Sequence, residues 1–228
     1  MKKNRRQFIQ HGTASIGLSG LFAGLVQAQA QSAEVTRRWP APKQLEDLLT
    51  ELEATQTRFY NVPRQDGQFL NLLVKLTGAK RVLEIGTANG YSAIWFSLAL
   101  EQTGGRMTTI EIQPRLVRAA KENVKRAGFE HCVEFLEGDA HELVSQVDGP
   151  FDLVFIDAEL GGKLDYFNKL YPEKIPRGKI LICHNAIFYR TAMEDYLGFI
   201  KSHMDFETVI LSLTMKDGFA LSRRKSTA

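Results

Sequence analysis

From Arg81 onward the chain alternates short, nearly all-apolar runs with helical stretches, and few folds accept that alternation. Arg81-Val82-Leu83-Glu84-Ile85-Gly86 reads as a strand ending in glycine, and a helix from Tyr91 to about Gln102 follows. The strand Arg106 to Ile112 comes next. Pro114, suited to a first helical position, opens a helix that ends before Gly128. Val133 to Leu136, Phe151 to Asp157 and Lys179 to Cys183 continue the series, with Leu143 on a short helix and Met193 to Ile200 helical. Thr208 to Leu213 and Phe219 to Ser222 are the last strands. Strands apolar on both faces imply a mostly parallel sheet covered by helices on both sides. Upstream, Lys43 to Phe59 and Gln65 to Leu76 carry leucines at helical spacing, with Gly78 as a stop signal. The expectation is a single α/β domain over 43–228 with a two-helix prefix.

The first thirty residues read as an address. Lys2, Lys3, Arg5 and Arg6 form a basic cluster, Ile16 to Val26 is a glycine-diluted apolar stretch, and Ala28-Gln29-Ala30 fits a signal-peptidase site. Asn4-Arg5-Arg6-Gln7-Phe8-Ile9 resembles a twin-arginine export signal, which implies a periplasmic protein, or a cytoplasmic one if the signal does not function. Residues 31–42 read as a flexible leader. The net charge of +3 (29 basic, 26 acidic) comes from that basic cluster: without residues 1–30, 25 basic side chains face 26 acidic ones. A near-neutral body gives no electrostatic reason to bind nucleic acid. No apolar run reaches the ~18 residues of a membrane span. The two cysteines, Cys132 and Cys183, fall at opposite ends of their strands, so a disulfide is not expected.

In a parallel sheet of this kind ligands bind beyond the carboxyl ends of the strands. There, Gly86-Thr87-Ala88-Asn89-Gly90 permits a tight turn and a close ligand approach, with the next helix's first amides facing the crevice. The spacing is Gly-x-x-x-Gly, which lacks the second glycine of a dinucleotide fold and weakens a nicotinamide-dependent reading. Glu111 ends the second strand, where an acid accepts hydrogen bonds from ribose hydroxyls, and Gly138-Asp139-Ala140 ends the third.

The string Glu84-Ile85-Gly86-Thr87-x-x-Gly90-Tyr91-Ser92, with Thr109-Ile110-Glu111-Ile112, Glu137-Gly138-Asp139-Ala140 and Phe151 to Ala158, resembles the S-adenosylmethionine-dependent O-methyltransferases of the catechol and caffeoyl-CoA type (family 3). The resemblance spans about Asn61 to Arg223. It implies a Rossmann-like class I methyltransferase fold, seven strands with the last antiparallel, and methyl transfer to a hydroxyl of a small, catechol-like aromatic acceptor. It further implies that Glu84, Gly86, Thr87 and Ser92 with Val62 hold the amino-acid part of the cofactor. Glu111 would bind the ribose, Ile112 would pack on the adenine, and Ala140 with His141 would border its edge. Asp157 would stand between cofactor and acceptor. Family members are often dimers, so a homodimer is the assembly suggested.

Two positions depart from the family pattern. The family's metal site pairs the aspartate ending the fourth strand with an Asp-Asn pair ending the fifth; here the residues are Asp157, His184 and Asn185. Imidazole in place of a carboxylate removes one negative charge and moves preference from Mg or Ca toward Mn, Fe or Zn. Three readings of His184 stand open: metal ligand, general base without a metal, or a satisfied strand-end histidine. The family's catalytic lysine position holds Leu160, with Lys163 nearby on a Gly161-Gly162 loop, either swinging into the site or remaining a solvated surface lysine. Phe188 and Tyr189 either line an acceptor pocket or pack the next helix. The alternative to an enzyme is an exported, non-catalytic protein that keeps the nucleoside pocket.

Overall fold

The computed structural model describes residues 43–55, 60–213 and 217–227. The signal and leader assignments to residues 1–42 lie outside them. Residues 47–228 form one compact unit. The elements are α1 (Lys43–Glu53), α2 (Arg64–Thr77), β1 (Arg81–Ile85), α3 (Tyr91–Thr103), β2 (Arg106–Glu111), α4 (Pro114–Arg126) and β3 (Val133–Glu137). They continue with α5 (Ala140–Leu143), β4 (Leu153–Ile156), α6 (Lys163–Leu170), β5 (Ile180–His184), α7 (Glu194–Ser202), β6 (Phe206–Leu211) and β7 (Phe219–Arg224).

The seven strands form one sheet in the order β3-β2-β1-β4-β5-β7-β6. The first five are parallel, and β7 runs antiparallel between β5 and β6. β1 and β4 are the central pair, and each is buried almost throughout, which is why their residues are apolar on both faces. The order reverses between them: from β1 the chain steps outward to β2 and β3, then returns to β4 on the other side. That switch point opens a crevice at the carboxyl ends of β1 and β4.

Helix faces match their surroundings. α4 buries Leu116, Val117, Ala120 and Val124 and turns its charges outward. α3 is apolar nearly all round because it lies between the sheet and α2. The α2–α3 contact depends on Gly67: a Cβ there would stand 2.3 Å from the Trp95 ring. Most expected elements hold within two residues. α1 ends at Glu53, short of Phe59, and residues 56–59 lie outside the described set. The sequence reading missed α6, where Gly161-Gly162 close a 3-10 turn that leads directly into a helix. No helix among the described residues is long and apolar enough to cross a membrane.

This packing yields a paired expectation. Gly67→Ala should destabilise the protein by about 1–3 kcal/mol in urea unfolding, since the added methyl must displace a packed indole. Gly198→Ala on α7, where a Cβ meets nothing within 4 Å, should change stability little or raise it by up to about 1 kcal/mol.

Candidate active site

A cavity of 680 Å3 opens at the carboxyl ends of β1, β2 and β4. Its floor is set by the loop after β1. Gly86 adopts φ 96°, and a Cβ on it would fall 2.4 Å from the Asp157 carbonyl oxygen, so only glycine brings this loop against the end of β4. Ala88 follows at φ 49°, held there by its N–H, which donates to Glu111 Oε2 at 2.9 Å. Glu111 Oε1 accepts the Gln113 N–H at 2.9 Å. Two backbone donors thus fix this carboxylate at the end of β2, while lone pairs on both oxygens remain for a ligand. Ile112 lines the same wall and is 60% exposed, an apolar surface that a flat ring would cover. Asp139, which caps α5 by accepting the His141 N–H, and Ala140 complete that side. Tyr60, Asn61 and Val62 form the opposite lip, with Asn61 Nδ2 donating to the Leu52 carbonyl at 2.9 Å.

Val62, Gly86, Thr87, Ser92, Glu111, Ile112, Ala140, Asp157 and Asn185 therefore all line one cavity. Glu84, His141, Lys163 and His184 do not. Glu84 lies fully buried beneath the floor, accepting from Ser92 Oγ and Thr109 Oγ1, both at 2.6 Å. Thr87 and Thr109 hydroxyls meet beside it. Burial pushes the Glu84 carboxyl up to about 7; the two hydroxyl donors offset part of that rise, and the nearby charges of Asp157 and Glu111 add to it. Its place is to hold Ser92 and Thr109 rather than to meet a ligand. His141 does not line the cavity: its Nδ1 is 2.6 Å from Asp165 and its Nε2 3.0 Å from Glu159, a residue of the cavity wall, so two carboxylates engage the ring. The hydrogen bond to Asp165, strengthened by both charges, raises its pKa despite slight desolvation.

Lys163 is neither a mobile loop lysine nor a solvated one. It is the first residue of α6 and 0% exposed, with Nζ 3.4 Å from the Ala158 carbonyl oxygen. The 3-10 turn through Gly161-Gly162 leaves no free loop to swing. Cys183, on the opposite face of β5 from His184, lies in the same core; burial raises its thiol to about 11, and the Lys163 charge offsets part of the shift. Leu160 lines the cavity. Tyr189 lines it too, whereas Phe188 is 67% exposed, does not line the cavity, and meets the Tyr189 ring edge-on.

His184 is the most constrained group at the crevice. It is buried against the rings of Phe155 and Phe219, whose centroids lie 6.4 and 5.0 Å from its own. Nδ1 is 3.1 Å from Asp157 Oδ1, and Nε2 is 3.1 Å from Asp66 Oδ2. Asp66, in the first turn of α2, was not among the residues read from sequence; no local pattern ties it to a histidine 118 positions away. Burial alone would lower the His184 pKa, but the Asp157 charge, its hydrogen bond and those of Asp66 outweigh it and raise the value to about 9.

A nucleoside bearing an amino-acid chain suits the cavity: a floor that a Cβ would fill, a fixed carboxylate at the end of β2, and an exposed isoleucine beside it. A divalent ion on Asp157, His184 and Asn185 does not suit the placement of these residues. A ligating imidazole needs a nitrogen lone pair directed at the metal, and both ring nitrogens are committed to carboxylates. Asn185, at φ 69°, lines the cavity.

Glu84 supplies a stability test. Its folded pKa lies above the ordinary carboxylate value, so the folded state gains protons relative to the unfolded one, and stability falls as pH rises from about 4.5 through 7. Glu84→Gln should flatten that decline, by at most about 3 kcal/mol between pH 4.5 and 8 in denaturant titrations.

The family model described as O-methyltransferase matches residues 33–225. A catechol O-methyltransferase of Niastella koreensis is 37% identical over 131 residues, 56% of this chain and 58% of that protein, so the chain spans little more than half the length of that relative. A flavonoid 3',5'-methyltransferase of Vitis vinifera is 25% identical over 90% of this chain and 98% of its own length. The crystal structure of an O-methyltransferase from Bacillus cereus in complex with SAH matches with a TM-score of 0.73 and 28% identity, over 82% of this chain and 93% of that one. A model match across most of the chain, on a sheet whose switch-point cavity gathers the motif residues, shows that this chain belongs to the O-methyltransferase family.

Proposed function

We propose that this protein is an S-adenosylmethionine-dependent O-methyltransferase whose acceptor is a hydroxyl on a small, catechol-like aromatic. The observation that carries the reading is the joint placement of Gly86, Glu111 and Asp157 around one cavity. When bound, S-adenosylmethionine supplies a methyl group on a positively charged sulfur. Glu111 accepts hydrogen bonds from the ribose hydroxyls, and Ile112 covers the adenine face. Thr87 and Ser92, steadied from below by Glu84 and Thr109, meet the amino-acid end together with Val62. Catalysis of this kind rests on aligning the acceptor oxygen with the methyl carbon. As the O–C bond forms and the S–C bond breaks, the hydroxyl proton must leave; Asp157, the carboxylate at the end of β4, is the group assigned to take it. Leu160 and Tyr189 give the acceptor side of the cavity an apolar and aromatic character.

A second reading, a protein that binds the donor without transferring its methyl group, is favoured by Leu160 in the cavity wall and by the burial of Lys163. Methyl transfer to any member of a catechol and phenol panel excludes it. We also propose export by a twin-arginine signal, on the order of basic cluster, apolar stretch and Ala28-Gln29-Ala30; cell fractionation tests this separately.

Calorimetric titration with S-adenosylmethionine and with its demethylated product should give saturable, one-to-one binding. Glu111→Ala should weaken both by roughly 10–100-fold, the value of one or two hydrogen bonds to a charged acceptor. A folded wild-type protein that binds neither ligand contradicts the reading.

A further inference from the structure

We propose that methyl transfer by this chain requires no divalent metal, because the ring of His184, held by Asp157 through Nδ1 and by Asp66 through Nε2, stands where a metal ligand would be and has no lone pair to give. The inference rests on the methyltransferase reading above and extends it to the group that positions Asp157.

Three observations converge. Each ring nitrogen lies 3.1 Å from a carboxylate oxygen; a ring that donates to both carries two N–H groups and has no lone pair left for a metal. The ring is 3% exposed and packs against Phe155 and Phe219, which leaves it little room to turn. The second carboxylate comes from outside the strand ends altogether. Asp66 is 1% exposed on α2, and the Gly67–Trp95 contact that presses α2 onto α3 delivers it. Its Oδ1 has no hydrogen-bond partner among the described residues. A buried carboxylate with one oxygen unanswered is costly unless a cation faces the other, and the His184 ring is that cation.

What the ring supplies in place of a metal is orientation. A divalent ion between two carboxylates would both neutralise and fix them; a single ring with two donors carries one positive charge, so it fixes Asp66 and Asp157 and offsets only one of their two charges. The ring anchors Asp157 Oδ1, so that Asp157 meets the cavity in one orientation. Asp66 and His184 are thus positioning residues acting through Asp157, and neither lines the cavity.

The test uses the full chain in two arms. In the first, chelator-treated and untreated protein are assayed for methyl transfer to a catechol panel, and Mn(II) binding is read by electron paramagnetic resonance, which needs no turnover. The expected result is a rate unchanged within about twofold by chelation, with no stoichiometric Mn(II) uptake. In the second arm, His184→Asp places a third carboxylate beside Asp66 and Asp157, and one Mn(II) per chain should now bind. Asp66→Asn keeps the shape of the site should that variant fail to fold. It should lower kcat by roughly 10–100-fold, as loss of an orienting partner does, leave the donor's KM within about twofold, and resist rescue by Mn(II).

Wild-type protein that takes up one Mn(II), loses it in Asp157→Asn, and needs it for transfer overturns the proposal while leaving the methyltransferase reading intact. If no transfer occurs at all, Mn(II) uptake by wild type that Asp157→Asn abolishes overturns it equally. If folded protein binds no S-adenosylmethionine, both fall.

Discussion

The close approach of Gly86 to the Asp157 carbonyl is the contact on which the site depends. With no room for a Cβ, the loop after β1 lies directly against the end of β4, and two strands adjacent in the sheet but 71 residues apart in the chain share one crevice. Glu111 then tethers the same loop from the other side by accepting the Ala88 N–H. Neither contact would exist without the reversal of strand order between β1 and β4, which leaves the rim uncovered at that point. The sheet supplies rigidity, and the loops need only small deviations from it to make a cavity.

Electrostatics at this rim is dominated by carboxylates. Glu111, Asp139, Asp157 and Glu159 line the cavity, while Glu84 and Asp66 lie just behind it. Among the described residues, Arg115 is the one permanently cationic residue of the lining. Such a field favours a ligand bearing positive charge, as a sulfonium does, and weakens affinity for a product that has lost it. The buried members are each managed differently. Glu84 is satisfied by two hydroxyls and is driven toward neutrality, whereas Asp66 and Asp157 share the His184 ring. Burial of like charges is tolerated because each has a specific answer within hydrogen-bonding distance.

The architecture was readable because its signals are local. Apolar runs bounded by Gly86, Gly138 or Pro114 announce strands and helix starts within a few residues, and the residues that follow each strand must fall at the rim. What escaped was whatever depends on distance. Asp66 sits in an amphipathic stretch where the apolar positions define the helix, and nothing nearby says that an acid on it is buried. Lys163 looked exposed because two glycines precede it, yet those glycines make a turn that sends its side chain inward. His141 follows a motif residue and inherited a role from it, but Asp165, one helix away, decides where the ring goes. Glu84 was placed against the ligand for the same reason; its burial follows from strand pleating, and its carboxylate is spent on Ser92 and Thr109.

A crystal structure grown with the demethylated donor would test the central claim most directly. The account requires the ribose on Glu111, the adenine against Ile112, and the sulfur between Gly86 and Asp157. Clear density for that ligand anywhere else, or a cavity that stays filled with solvent at saturating concentration, would contradict it.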